Sequence, residues 1–217
     1  METFTDLATA AYCPRKLYYR RRDDDRSPPD DVETVRELAF RYPELLAAGT
    51  DLTEEPIAVT PTQYRSNLGS ARARLDCWER LVDPAGRDVL LEGKDCRGIA
   101  HKVLESPPRP VVVSAGRPPE RGVWEPHSVR ATAAAKALAW ERETAVSRAV
   151  VEYPAHGEVR RLRLTTGRKA AYRRALRTVE SLDGPPPRLD DETRCEPCEY
   201  RTECGARTRS LRSRLSL

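Results

Sequence analysis

VLLEGKDCRGIAHKVLESPPRPVVVS spans residues 89–114. Three apolar runs stand out in it: Val89-Leu90-Leu91, GIAHKVL at 98–104 and PVVVS at 110–114. They predict three consecutive strands, and GKDCR between the first two suits a hairpin connection. The same stretch holds Glu92-Gly93-Lys94, an acid-x-lysine triplet. On a strand, residues two apart face one side, so this carboxylate and ammonium would stand together. Hard oxygen ligands hold magnesium or manganese, and a nearby cation orients water and stabilises developing charge. Asp76, Asp83, Asp88 or Asp95 would then have to supply a second carboxylate. Gly93 and the run after it read as a turn, however, and such a triplet arises readily in a chain that is 33% charged. A solvated hairpin is the favoured reading of Glu92 and Lys94.

Outward from this centre the chain alternates helices and strands. Residues 5–22 read as a helical opening in which Pro14 permits a fresh start after Cys13. RSPPDD at 26–31 reads as a loop, and 33–47 as a helix that Pro43 breaks or kinks. PIAVT at 56–60 is expected as a short strand, and 62–82 as one long helix behind Thr60-Pro61. Downstream come an alanine-rich helix over about 127–146, strands AVVEY and EVRRLRL joined by PAHG, and a helix over 168–182. GPPPRLDDETR is a linker. The succession specifies an α/β core. It divides into an N-terminal helical segment (1–55), the core (56–183), a cysteine-bearing segment (184–205) and a basic tail (206–217).

The net charge of +4, from 38 basic and 34 acidic residues, fits a mixed solvated surface as well as a polyanion partner. Basic residues gather at Arg15, Lys16, Arg20, Arg21 and Arg22 and again at Arg207, Arg209, Arg212 and Arg214. Of these Arg15, Lys16 and Arg20 are the candidate DNA-binding residues. Mean hydropathy is −0.67 and no apolar run reaches membrane-spanning length. METFTDLATAAYC lacks the basic start of a signal peptide, so a cytoplasmic protein with no membrane partner is expected.

Six cysteines in such a chain argue for metal or redox chemistry before disulfides. Cys195-Glu-Pro-Cys198 puts two thiolates on one tight turn, and Cys204 follows on the next. A four-coordinate site needs one more, and Cys13 in AAYCPRKLYYRR, among aromatics, is the natural candidate. An iron–sulfur cluster, structural zinc and unligated thiols are the three readings. Cys77 and Cys96 lack paired spacing and read as small buried side chains.

YCPRKLYY near the start and C-x2-C-x5-C near the end, flanking an α/β core, resemble the CRISPR-associated RecB-like exonucleases, the fourth Cas family. AGRPPERGVWEPHSV at 115–129 is similar to that family's stretch just beyond its acid-x-lysine strand. The resemblance covers nearly the whole chain. It implies a PD-(D/E)xK, restriction-endonuclease-like mixed sheet flanked by helices, with the chain ends joined at a 4Fe-4S cluster. It implies Cys13, Cys195, Cys198 and Cys204 as cluster ligands. It further implies DNA, single-stranded or with single-stranded ends, as substrate, CRISPR adaptation proteins as partners, and magnesium or manganese where the nuclease site works.

The family's metal ligands do not carry over. His101 ends Gly98-Ile99-Ala100-His101, where an aspartate would stand. Aligned on Gly116-Arg117-Pro118, Val112 replaces the glutamate and Ser114 the lysine, and the alanine-rich helix has no glutamine. One neutral imidazole does not replace two carboxylates for a hard divalent ion. The resemblance therefore implies a catalytically impaired member that acts on or binds DNA in spacer acquisition. An active exonuclease with a rearranged site, and a cluster- or zinc-stabilised interaction module, are the alternatives.

Overall fold

The computed structural model describes residues 1–23 and 30–205. The expected 26–31 loop falls mostly outside the described residues, and the basic tail wholly so.

Strand β1 (Glu2–Thr3) runs into helix α1 (Phe4–Tyr12), capped by the Thr3 hydroxyl, which accepts from the Asp6 N–H. Cys13 is extended and separates α1 from α2 (Pro14–Arg20), where Pro14 occupies the first turn. Helix α3 (Asp30–Glu37) passes through a short 3-10 turn into α4 (Tyr42–Leu45), and Pro43 starts α4 rather than kinking one long helix. Helices α5 (Pro61–Arg74) and α6 (Trp78–Val82) replace the single helix expected over 62–82. Leu75 takes an extended conformation between them, which lets Trp78 stack on Tyr42 at 5.9 Å. PIAVT is not a strand. The Ala58 N–H donates to the Ala155 carbonyl, but no sheet edge receives the segment.

The three central strands form as read: β2 (Gly86–Glu92), β3 (Cys96–Leu104) and β4 (Arg109–Val113). They are followed by α7 (Glu125–Glu141), β5 (Arg148–Tyr153), β6 (Glu158–Arg163), α8 (Thr166–Glu180) and the short α9 (Glu192–Cys195). The result is an open mixed sheet in the order β1-β3-β4-β5-β6, with β2 on β3's other edge. β1–β3 and β4–β5 are parallel; β2–β3, β3–β4 and β5–β6 are antiparallel.

β3 has an unusual edge. β2 pairs with it from Arg97 to Val103. The opposite edge is shared: β1 takes Cys96 and Arg97, and β4 takes Lys102 to Leu104. Between them Gly98 to His101 lack a strand partner on that side. The Phe4 ring covers Gly98 so closely that a Cβ there would lie 2.6 Å from it.

Apolar clusters fill both faces. On one, Phe4, Leu7 and Leu17 pack with alanines of α7 and Tyr172 and Val179 of α8. On the other, Tyr42, Tyr64, Leu68 and Trp78 pack against Val111, Val113 and Val150. Residues on both sides of position 55 contribute to each cluster.

Candidate functional site

The cysteine frame is brought together from opposite ends of the chain. Cys13, Cys195, Cys198 and Cys204, all half-buried free thiols, line one cavity with Tyr12 and Tyr19. Cys13 reaches it from the break between α1 and α2; the other three come from α9 and the turns after it. Burial pushes the Cys195 thiol up, and the neighbouring Cys13, Cys204 and Cys198 push it further. Such mutual repulsion is what a positively charged centre would relieve.

Around this cavity the two ends are clasped by reciprocal contacts. The Tyr12 hydroxyl donates to the Arg194 carbonyl at 2.8 Å, and Arg194 Nη1 donates back to the Tyr12 carbonyl at 2.9 Å. Arg15 Nη1 donates to the Pro186 carbonyl at 2.8 Å, and Lys16 pairs with Glu199 at 3.0 Å. Tyr19 stacks on Tyr200 and donates its hydroxyl to the Glu203 carbonyl. Two of the three candidate DNA-binding residues, Arg15 and Lys16, are thus engaged in the clasp. Arg20 turns to the Thr9 hydroxyl at 3.0 Å. Cys77 and Cys96 are fully buried elsewhere, as expected, and Cys96 Sγ lies 3.3 Å from the Tyr172 hydroxyl.

Whether the residues suit a cluster is a question of donor chemistry and spacing. The donor set is four thiols, the ligand type that iron–sulfur clusters and structural zinc both use. Among the described residues no three His, Cys, Asp or Glu side chains stand as a closed ligand set for a metal ion. The four thiols share a cavity rather than a single coordination sphere. Their chemistry suits the cluster reading and the zinc reading alike.

The family-equivalent catalytic positions are also together, but not as a metal site. His101 sits where β3 loses β4, and its Nδ1 accepts the Val113 N–H at 2.9 Å. The imidazole thereby fills in for a missing backbone partner. Its proton must lie on Nε2, so neither ring nitrogen offers a lone pair to a metal. Burial, and then the cation Arg130, push its pKa down to about 2. Val112 is buried in an apolar cluster with Ala131, Ala149, Val151, Tyr153 and Leu162. The Ser114 hydroxyl lies 3.3 Å from His127 Nε2, and His127 Nδ1 is 3.0 Å from the Tyr153 hydroxyl. This is a chain of neutral groups: burial and Arg130 hold His127 down to about 4.

The triplet at the hairpin is as the turn reading expects. Glu92 ends β2 with an exposed side chain, 3.8 Å from Arg97, and Lys94 is exposed. Gly93 is buried because the hairpin tip lies on α7: a Cβ there would sit 2.9 Å from the Ala137 Cα. Of the four aspartates offered as partners, Asp76 belongs to Arg109 and Asp88 to Arg36, and Asp95 lies 3.5 Å from the Tyr172 hydroxyl. Asp83 caps the end of α6 through its backbone.

Two features were missed by sequence reasoning. Lys102, next to His101 but on the other face, is wholly enclosed. Its Nζ donates to the Ala39 and Leu81 carbonyls at 2.6 and 3.0 Å and to Glu152 Oε1 at 3.1 Å. The second is Arg130 on α7, set among buried residues, with its Nε enclosed and without a partner. An arginine interrupting Val129 and Ala131 on an alanine-rich helix was the available signal.

No protein-family model matches this chain, and no curated protein sequence is similar to it. Among the described residues no helix is long and apolar enough to cross a membrane.

Proposed function

We propose that this chain is a DNA-binding, catalytically impaired member of the RecB-like CRISPR-associated nucleases, with its ends held by a 4Fe-4S cluster and a role in spacer acquisition. One observation carries the reading: four thiols separated by the whole α/β core, Cys13 before it and Cys195, Cys198 and Cys204 after it, line one cavity. The mixed sheet between helices is compatible with a restriction-endonuclease-like core.

Cys13, Cys195, Cys198 and Cys204 would hold the cluster, whose contribution is to cross-link the chain ends. The chain's own residues account for the loss of hydrolysis. The imidazole of His101 is spent on a backbone N–H, Val112 is apolar, and Ser114 faces a neutral histidine. None supplies the hard anionic oxygens that magnesium or manganese needs.

The test is anaerobic purification with iron, sulfide and zinc analysis, followed by cleavage and binding assays on single-stranded and splayed DNA. The expected result is iron with sulfide, no magnesium- or manganese-dependent cleavage, and DNA binding that weakens steeply with salt. Zinc without iron would replace the cluster assignment. Metal-dependent cleavage that disappears on changing His101 or Glu92 would overturn the impaired reading. Loss of DNA binding at every salt concentration would leave a protein-interaction module.

A further inference from the structure

The residues between Cys198 and Cys204 mostly belong to the clasp or to solvent. Glu199 pairs with Lys16 at 3.0 Å. Tyr200 stacks on Tyr19 and donates its hydroxyl to Asp23 at 2.8 Å. Thr202 and Glu203 are exposed, and their carbonyls accept from the Gly205 N–H and the Tyr19 hydroxyl. Arg201 differs. Its backbone N–H donates to the Cys198 carbonyl at 3.1 Å, which turns the chain just after the paired thiols. Its side chain is half-buried and lines the cavity of the four thiols. It makes no side-chain hydrogen bond or ion pair among the described residues.

Two other cations line this cavity, Lys16 and Arg194. Each already faces a carboxylate: Glu199 for Lys16, and Asp191, at 3.0 Å, for Arg194. Among the described residues no carboxylate lines the cavity itself, so the charge of Arg201 is not offset there. A guanidinium keeps its proton in a protein, and drawing it partly out of water without a counter-charge is unfavourable. Other partly enclosed arginines have carboxylates. Arg109 holds Asp76 through contacts of 3.1 and 2.9 Å, and Arg41 holds Glu55 at 2.6 Å. The cavity offers Arg201 sulfur instead. Four thiolates outweigh the charge of a zinc ion or of the core of a four-iron cluster, so a centre held there is anionic with either. Groups just outside the ligands strengthen such centres, and nearby charge tunes them.

We propose that Arg201 is the counter-charge of the four-thiol centre, and that its guanidinium slows the loss of the metal held there. The inference rests on the reading that the four thiols bind a metal centre, and it applies to a cluster and to zinc alike. Arg201 sits between two of the ligands in sequence, so the charge travels with the turn that presents them.

The experiment uses the full chain purified without oxygen, as wild type and as Arg201→Met, Arg201→Lys and Arg201→Glu. Iron and zinc per chain are measured first, then the rate at which a chelator strips the metal at low and at high salt. Arg201→Met should release metal about tenfold faster or more, Arg201→Glu faster still, and Arg201→Lys close to the wild-type rate. The spread should narrow at high salt, which screens a partly exposed charge. Where the metal is a cluster, its reduction potential should fall in Arg201→Met, because the more negative reduced form loses a counter-charge. Equal release rates in wild type, Arg201→Met and Arg201→Glu overturn the proposal. So does an Arg201→Lys variant that fails as fully as Arg201→Met while the metal-free forms of both unfold below the metal-free wild type, the mark of a packing role. A wild-type chain that holds neither iron nor zinc removes the metal centre and this inference with it. A centre that is present and indifferent to position 201 removes the inference alone. Should Arg201→Met not fold, Arg201→Gln replaces it under the same outcomes.

Discussion

Lys102 of β3 and Glu152 of β5 meet at 3.1 Å across the strand between them, both fully enclosed. Glu152 also takes the Tyr42 hydroxyl at 3.3 Å, so one charge pair links α4, β3 and β5. Burial pushes Lys102 down and Glu152 up, each against its partner's opposing pull. The pair is therefore no large net source of stability, but breaking it strands a charge.

Replacing one partner should thus be worse than replacing both. Glu152→Gln or Lys102→Met alone is expected to cost about 3–5 kcal/mol, and Lys102→Met with Glu152→Leu clearly less than either. Urea unfolding of the three variants measures this. A double variant as unstable as the sum of the singles would show that the two charges do not act as a pair.

Acid should destabilise the fold early. His101 and His127 are held at about 2 and about 4, below the 6.5 of an exposed histidine, chiefly by burial and then by Arg130. Both are neutral when folded and take up protons on unfolding. Their contribution is complete above pH 6.5 and falls by about 1.4 kcal/mol per pH unit for each histidine as pH drops toward 4. His101→Asn keeps an acceptor for the Val113 N–H but removes one of the two slopes. Tm measured from pH 7.5 to 4.5 should fall less steeply in this variant.

Gly93→Ala should loosen the β2–β3 hairpin. The new methyl would meet the Ala137 Cα at 2.9 Å and the Cys96 carbonyl oxygen at 3.2 Å. A cost of about 1–3 kcal/mol is expected. Denaturant unfolding measures it, with faster hydrogen exchange of the Gly93 amide, which now donates to the Cys96 carbonyl, as the local signature.

Cys198→Ala should release the C-terminal segment before the core. On the cluster reading iron and sulfide are lost, and trypsin should cut after Arg188 and Arg194 at concentrations that spare the wild type. Retention of iron and of protease resistance would remove Cys198 from the ligand set.

The readable parts were those whose physics is local. The β2–β3 hairpin followed from a polar, glycine-containing run between apolar ones, and the break at Cys13 from Pro14. The cysteine pattern brought four distant thiols to one cavity. PIAVT misled because strand propensity needs a vacant sheet edge, and none reaches residues 56–60. The 62–82 helix misled because its spacing persisted through Leu75, while packing of Trp78 on Tyr42 goes with the turn there. Lys102 and Arg130 were opaque for a common reason. Whether a cation is paired depends on residues such as Glu152 that lie far along the chain, and whether Arg130 is unpaired depends on what is missing around it.

Tyr12 and Arg194 exchange two hydrogen bonds across 182 positions. Closing so long a loop from a free chain costs about 5 kcal/mol in entropy, while two such bonds return only about 1–3 kcal/mol. The contact cannot nucleate folding. It depends on the sheet and α7 to bring α1 near the end of the chain, and a contact held by so few bonds belongs to the low-stability end of a fold. The clasp around the four thiols therefore depends on the sheet and α7 for its closure, and it adds little of its own to hold the chain ends together.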